Sequence, residues 1–261
     1  MQRRPLSHKG ENGSVAVIGG SRTQHGAPLF AALAAEATGV DLVFVCVPSV
    51  HAEVAKMTSL NFQVHPFGSQ NSDELSARDC SQIIELLATM DAAVIGPGLA
   101  RTEGNLRSIL ALLEECPCPV VADASALQPK SLRCLRGKQA VLMPHQGELE
   151  RMGLRYEEIL KHCRETGCTV LLKGPTDTII SPSGDVRKVD GGNAGLTVGG
   201  TGDALAGIVA GLIAQKEDPI EACVRASTAI KRAGDLLFSR RGFAYTTRDV
   251  IAEIPALLRQ S

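Results

Sequence analysis

Short apolar runs rich in β-branched residues alternate with helix-spaced segments along almost the whole of this 261-residue chain, and that alternation restricts the fold more than any other feature. Residues 14–19 (SVAVIG), 41–47, 92–96, 119–123, 140–143 and 168–173 read as strands. Residues 41–47 (DLVFVCV) carry a continuous apolar run, as expected of a strand covered on both faces. Residues 28–38, 75–90, 103–115, 156–166, 202–215, 219–238 and 246–258 carry helical spacing. Residues 178–189 place a Ser-Pro-Ser-Gly turn between β-rich arms and predict a hairpin. The pattern predicts an α/β fold: a mainly parallel central sheet flanked by helices in three layers. No linker or repeat interrupts it, so residues 1–261 are expected to form a single domain, with residues 1–13 as a polar N-terminal extension.

In sheets of this kind, ligands gather at the carboxyl ends of the strands. The residues best suited to binding stand there. Gly19-Gly20-Ser21, Gly96-Pro97-Gly98, Asp123, Pro144-His145 and Lys173-Gly174 each follow a predicted strand. Five polar or glycine-rich exits in one chain predict one composite site rather than five unrelated turns.

The run Gly199-Gly200-Thr201-Gly202-Asp203 leads directly into an apolar helix. Backbone N–H groups at a helix start bind anions, and glycine admits a ligand close to the backbone. A carboxylate in such a place suits proton abstraction beside a cradle for developing negative charge. Asp203 is therefore the candidate general base, and Gly200, Thr201 and Gly202 form the candidate anion hole. The alternative is a glycine turn in which Asp203 only caps the helix. Gly207 and Gly211, four apart in the same helix, predict close packing against a neighbouring element.

Composition narrows the partners. The formal net charge is −1, which argues against a nucleic-acid interface. Apolar stretches are broken well before the roughly 18 residues a membrane span needs. The polar first residues lack the apolar core of a signal peptide, so the cytoplasm is the expected compartment. None of the eight cysteines forms a CxxC pair, and they are expected to be reduced and mostly buried. With no Trp and 3% aromatics, a bound ring would lie against aliphatic side chains and backbone. Neither G-x-x-x-x-G-K-[ST] nor G-x-G-x-x-G is present.

The Gly200-Thr201-Gly202-Asp203 motif before a buried helix resembles the ribokinase-like superfamily. Further motifs narrow the likeness: Gly19-Gly20-Ser21 with Gly26-Ala27-Pro28, then Gly96-Pro97-Gly98-Leu99, and Pro144-His145-Gln146-Gly147-Glu148. Lys173-Gly174-Pro175-Thr176-Asp177 and Gly191-Gly192-Asn193-Ala194-Gly195-Leu196 complete the set. In order and spacing they resemble the ADP/ATP-dependent NAD(P)H-hydrate dehydratases, from about residue 14 to residue 258. Two positions depart from the family pattern. Ser125 stands where the family usually has a second Asp, and Ala194 stands where it has Pro.

The resemblance implies repair of the S-epimer of hydrated NADH or NADPH, with ADP or ATP as phosphoryl donor and Mg²⁺ as cofactor. It implies Asp203 as the base. Ala27, Gly98, His145 and Asp203 would contact the hydrate, and Lys173, Gly174, Pro175, Thr176, Asp177 and Gly202 the nucleotide. Glu148 would reach the metal through water. It further implies a homotetramer working with a separate NAD(P)H-hydrate epimerase. Two rival readings share the motif: a small-alcohol kinase of the hydroxyethylthiazole or hydroxymethylpyrimidine type, and a nucleotide-sensing module without catalysis.

Overall fold

Central strands whose side chains are apolar on both sides have nowhere to go but between two layers of helix. A computed structural model describing residues 6–259 has this arrangement; residues 1–5, the start of the predicted extension, lie outside the described residues. The strands are β1 (Ser14–Ile18), β2 (Leu42–Pro48), β3 (Phe62–Phe67), β4 (Ala92–Ile95), β5 (Val120–Ala122), β6 (Ala140–Leu142), β7 (Thr169–Leu172), β8 (Asp177–Ile180) and β9 (Val186–Val189). The helices are α1 (Gly26–Ala37), α2 (Ala52–Thr58), α3 (Ala77–Leu87), α4 (Glu103–Glu115), α5 (Ser131–Cys134), α6 (Gln146–Arg151), α7 (Ile159–Thr166), α8 (Thr201–Ala214), α9 (Pro219–Arg241) and α10 (Thr247–Arg259).

The strands form one sheet in the order β3-β2-β1-β4-β5-β6-β7-β8-β9. β1 to β7 pair in parallel; β8 and β9 add an antiparallel hairpin at one edge. The pleat sorts the side chains into two cores. Val15, Val17, Val94, Val121, Val141 and Leu171 point into the layer of α1, α8, α9 and α10. Ala16, Ile18, Ile95, Ala122, Leu142 and Val170 point into the layer of α3 to α7.

The expected strands and helices all form, with ends shifted by a few residues. The edge strand β3 was not anticipated. Its Pro66 and the exposed Gln63 and His65 mask the pattern, and a proline is tolerated at an edge because no ladder hydrogen bond is needed there. The short helices α2, α5 and α6 also escaped the helical spacing.

Helix α8 is buried almost all round. A Cβ on Gly207 would stand 2.0 Å from the Ala31 carbonyl oxygen of α1, and one on Gly211 2.3 Å from Thr38 Oγ1. Both glycines are there for close helix packing, as their spacing suggests. All eight cysteines are free, and seven are buried. Among the described residues no helix is long and apolar enough to cross a membrane.

Candidate active site

The parallel order sets the exits of β1, β4, β5, β6 and β7 side by side along one rim. The five motifs of the sequence therefore meet. Lys173, one residue beyond β7, continues the pairing with β6: its N–H donates to the Pro144 carbonyl at 2.8 Å, and a parallel bridge aligns it with His145. Its ammonium reaches back to Asp123 Oδ1 at 2.6 Å and stands 3.5 Å from Glu148 Oε2. Asp123, just past β5, is nearly inaccessible, and the following Ala124 holds a φ of +50° that turns the chain away beneath the rim.

α6 starts here through a reciprocal cap. The Glu148 N–H donates to His145 Nδ1 at 3.2 Å, and the His145 N–H donates to Glu148 Oε2 at 3.0 Å. The neutral imidazole that accepts at Nδ1 carries its proton on Nε2. That ring is 58% exposed, whereas the Glu148 side chain is 8% exposed and also faces Arg151 at 3.6 Å.

α8 rises from the same rim. Its cap is Gly200, in the left-handed region at φ +97°, where a Cβ would strike the Phe30 ring at 2.3 Å. Asp203 is thus not the cap, which removes the alternative reading of the motif. It sits in the first turn, where helical N–H groups have no intrahelical acceptor. Among the described residues its carboxylate accepts no hydrogen bond from the protein. Burial first, then the charges of Asp123 and Glu148, push its pKa up to about 7, against the opposing pull of Lys173. Its surface is nonetheless partly open at the rim. A Cβ on Gly202 would lie 3.5 Å from Lys173 Nζ, so the lysine stands at the mouth of the α8 amide cradle. Three carboxylates around Lys173 outweigh its burial and hold it charged.

A cleft of about 750 Å³ opens beside this cluster. His145, Lys173, Gly174, Pro175, Asp177, Thr201 and Gly202 all line it. Thr176 lies outside the lining and ties to Asp190 through its hydroxyl. The Asp177 carboxylate is turned into its own loop, accepting from the Gly174 N–H at 2.9 Å. Ala27 and Gly98 stand elsewhere on the rim, at the exits of β1 and β4, in contact with each other: a Cβ on Gly98 would lie 3.0 Å from that of Ala27. Ser125 donates to the Leu99 carbonyl at 2.7 Å and so ties the β5 exit to the β4 exit. The departure at this position has a structural use.

Sequence reasoning missed Lys231 of α9, which lines the cleft while only 6% exposed. The signal was a charge on the apolar face of an otherwise amphipathic helix. It also missed the links that hold residues 191–197. Tyr245 Oη donates to Asn193 Oδ1 at 2.7 Å, while Asp235 accepts from Asn193 Nδ2 at 3.1 Å and the Gly192 N–H at 3.0 Å.

Known proteins resemble this chain in sequence and in fold. The ADP-dependent (S)-NAD(P)H-hydrate dehydratase of Cenarchaeum symbiosum is 34% identical over 267 residues, covering 98% of this chain and 92% of that protein. The bifunctional NAD(P)H-hydrate repair enzyme Nnr of Methanopyrus kandleri is 35% identical, covering 99% of this chain and 52% of that protein. The Bacillus subtilis ADP/ATP-dependent NAD(P)H-hydrate dehydratase, co-crystallised with ATP/Mg²⁺, superposes with a TM-score of 0.82 at 24% identity, covering 99% of this chain and 93% of that one. This last likeness, to a ribokinase-like structure, concerns the fold. The sequence profile of the NAD(P)H-hydrate dehydratases matches residues 15–256, and the chain belongs to that family.

Proposed function

We propose that this chain restores NADH or NADPH from the S-hydrate by nucleotide-dependent dehydration. Hydroxide is a poor leaving group from the hydrated ring, and a phosphate ester is a good one. Asp203 takes the proton of the ring hydroxyl as that oxygen forms a bond to the terminal phosphorus of ADP or ATP. The bond from this phosphorus to the donor's bridging oxygen breaks, and the shortened nucleotide leaves. Phosphate then departs from the ring carbon, a proton is lost from the neighbouring carbon, and the double bond of the reduced nicotinamide returns.

One observation supports this reading above the rest: a carboxylate without protein hydrogen bonds, poised near neutrality, lies in the first turn of α8 beside a charged lysine and a large cleft. The amides of Gly200 and Gly202 would receive the transferring phosphoryl group, the Thr201 N–H being turned to the Val198 carbonyl at 3.4 Å, and Lys173 would compensate its charge. The nucleotide occupies the cleft along Gly174 and Pro175, with Thr176 behind that loop on Asp190 and Asp177 shaping the loop from within. The hydrate lies towards Ala27 and Gly98, with His145 Nε2–H as a donor to it. Asp203 stands between the two guests.

Among the described residues no three carboxylate, imidazole or thiolate groups converge as a metal cage. The rim's donors are the carboxylate oxygens of Asp123, Glu148 and Asp203, the kind that Mg²⁺ takes. Glu148, already engaged by its cap and two cations, would touch the ion's waters rather than the ion. Mg²⁺ there supplies charge neutralisation on the phosphates.

We extend the proposal to a single-domain cytoplasmic enzyme that works with a separate epimerase. The eight free cysteines support a reducing compartment. Exposed Val54, Met57 and Leu60 on and after α2 support self-association, for which the family likeness implies a homotetramer.

The test follows recovery of the reduced-nicotinamide absorbance from the S-hydrate with Mg²⁺ and either ADP or ATP. The expected result is recovery that Asp203→Asn abolishes while ADP still binds. Recovery at the native rate in that variant would remove Asp203 as the base. A stable phosphorylated thiazole or pyrimidine alcohol, with no hydrate repair, would replace the dehydratase reading with the kinase one. Nucleotide binding without turnover of any of these would replace it with the sensing module.

A further inference from the structure

The Lys231 ammonium is enclosed by main chain. It donates to the Pro175 carbonyl at 2.7 Å and the Gly174 carbonyl at 3.2 Å, and approaches the Gly191 carbonyl at 3.5 Å. The Asp177 carboxylate completes the shell at 3.7 Å. Both residues are 6% exposed. These oxygens come from two separate segments, the β7–β8 loop and the turn after β9, and the lysine adds α9 as a third. The distances exceed the roughly 2.0–2.6 Å at which Mg²⁺ or Ca²⁺ is held, and they suit an ammonium-sized monovalent cation. The stem of the lysine runs beneath the turn: a Cβ on Gly192 would lie 3.3 Å from Lys231 Cγ.

Carbonyl dipoles aimed at one point repel each other unless a positive charge sits there. Both segments line the cleft, so whatever fixes their spacing fixes its width. We propose that Lys231 is a tethered monovalent cation: a positioning residue whose ammonium fills a carbonyl cage and sets the two loops for the nucleotide. The statement about the nucleotide rests on the functional reading above; the statement about the cage does not.

Chemical rescue separates a caged cation from a merely structural side chain. Lys231→Ala leaves the cage without its charge and with room for a free ion, whereas Lys231→Met refills the space with an apolar stem. ADP binding is measured by calorimetry in sodium buffer, then with ammonium chloride, with tetramethylammonium chloride at equal ionic strength as the oversized control. Melting temperatures are recorded alongside. In sodium buffer both variants are expected to bind ADP at least about tenfold more weakly than the native protein, the effect of losing one charged donor to several buried acceptors. Ammonium is expected to restore Lys231→Ala in binding and in melting temperature, to leave Lys231→Met unrestored, and to leave the native protein unchanged. The proposal is overturned if Lys231→Met binds ADP as the native protein does, or if ammonium acts no better than tetramethylammonium on Lys231→Ala. Should Lys231→Ala be unfolded in sodium buffer, ammonium must recover its fold, and failure to do so counts against the cage. If the native protein binds no ADP, the functional reading fails, and the ammonium-dependent melting shift of Lys231→Ala still decides the cage.

Discussion

Replacing Asp203 by Asn is expected to abolish repair and, at the same time, to stabilise the protein, by an amount that depends on pH. The carboxyl is raised from 3.8 to about 7 in the folded state. Between those values the folded chain keeps a proton that the unfolded chain has released, so stability falls as pH rises through this window. Above about pH 7 the penalty is complete, and below about pH 4 it is absent. The shift corresponds to at most about 4 kcal/mol, at roughly 1.4 kcal/mol per pH unit. Partial exposure of the group at the rim screens the charges around it, which leaves about 2 kcal/mol as the working figure. Asn carries no charge at any pH and resembles the protonated acid in shape. Thermal unfolding of both proteins from pH 4.5 to pH 8 is the assay. For a domain of this size, the variant is expected to melt about 4–8 °C above the native protein at pH 8, with the gap closing as pH falls. A variant that is less stable at pH 8, or a gap independent of pH, would refute the electrostatic picture of the site. The same group sets the acid limb of activity: kcat/KM for the hydrate should fall about tenfold per pH unit below about pH 7.

Removing the cation beside these carboxylates should act the other way. Lys173→Met strands the buried Asp123 carboxylate and is expected to destabilise by about 3–5 kcal/mol at pH 8 and by less at pH 5, read by denaturant titration; an equal loss at both pH values would contradict the ion-pair argument. Gly207→Ala forces a methyl into the Ala31 carbonyl and should cost about 3 kcal/mol, while Gly211→Ala, which meets the Thr38 side chain, should cost less because that side chain can rotate. Thiol labelling of the native protein is expected to modify Cys134 first, since it alone among the eight is not buried. Faster labelling of Cys46, whose thiol burial pushes up to about 12, would mean that the β2 region opens.

The inner strands were legible because burial on both faces leaves no polar positions to confuse the period, as in residues 14–18 and 92–95. β3 was illegible because its exposed face and Pro66 imitate a loop. Helix α6, six residues long, is held by the exchange between His145 and Glu148 rather than by an apolar stripe, and no hydrophobic period announces it. Within the site, the glycine motif could be read from its place before an apolar helix, and Lys173 and His145 from their places after strands. Their mutual distances could not, because Asp123, Lys173 and Asp203 are separated by 50 and 30 residues and converge only through the strand order. Lys231 stayed hidden for a related reason. Its partners are main-chain oxygens, and backbone acceptors leave no mark on the residue types around them.

The tight seating of α8 on α1 bears on how such a protein diversifies. With backbone meeting backbone at Gly207, the turn that carries Asp203 is held against α1, so under the proposed mechanism the acid and the rim at Ala27 move as one block. The walls proposed to face the donor, by contrast, are a hairpin paired to β7 and a turn fastened by side chains from α9. Under that mechanism, a change of phosphoryl donor requires changes only in residues 174–197 and their fastenings, while the geometry of proton removal stays as it is.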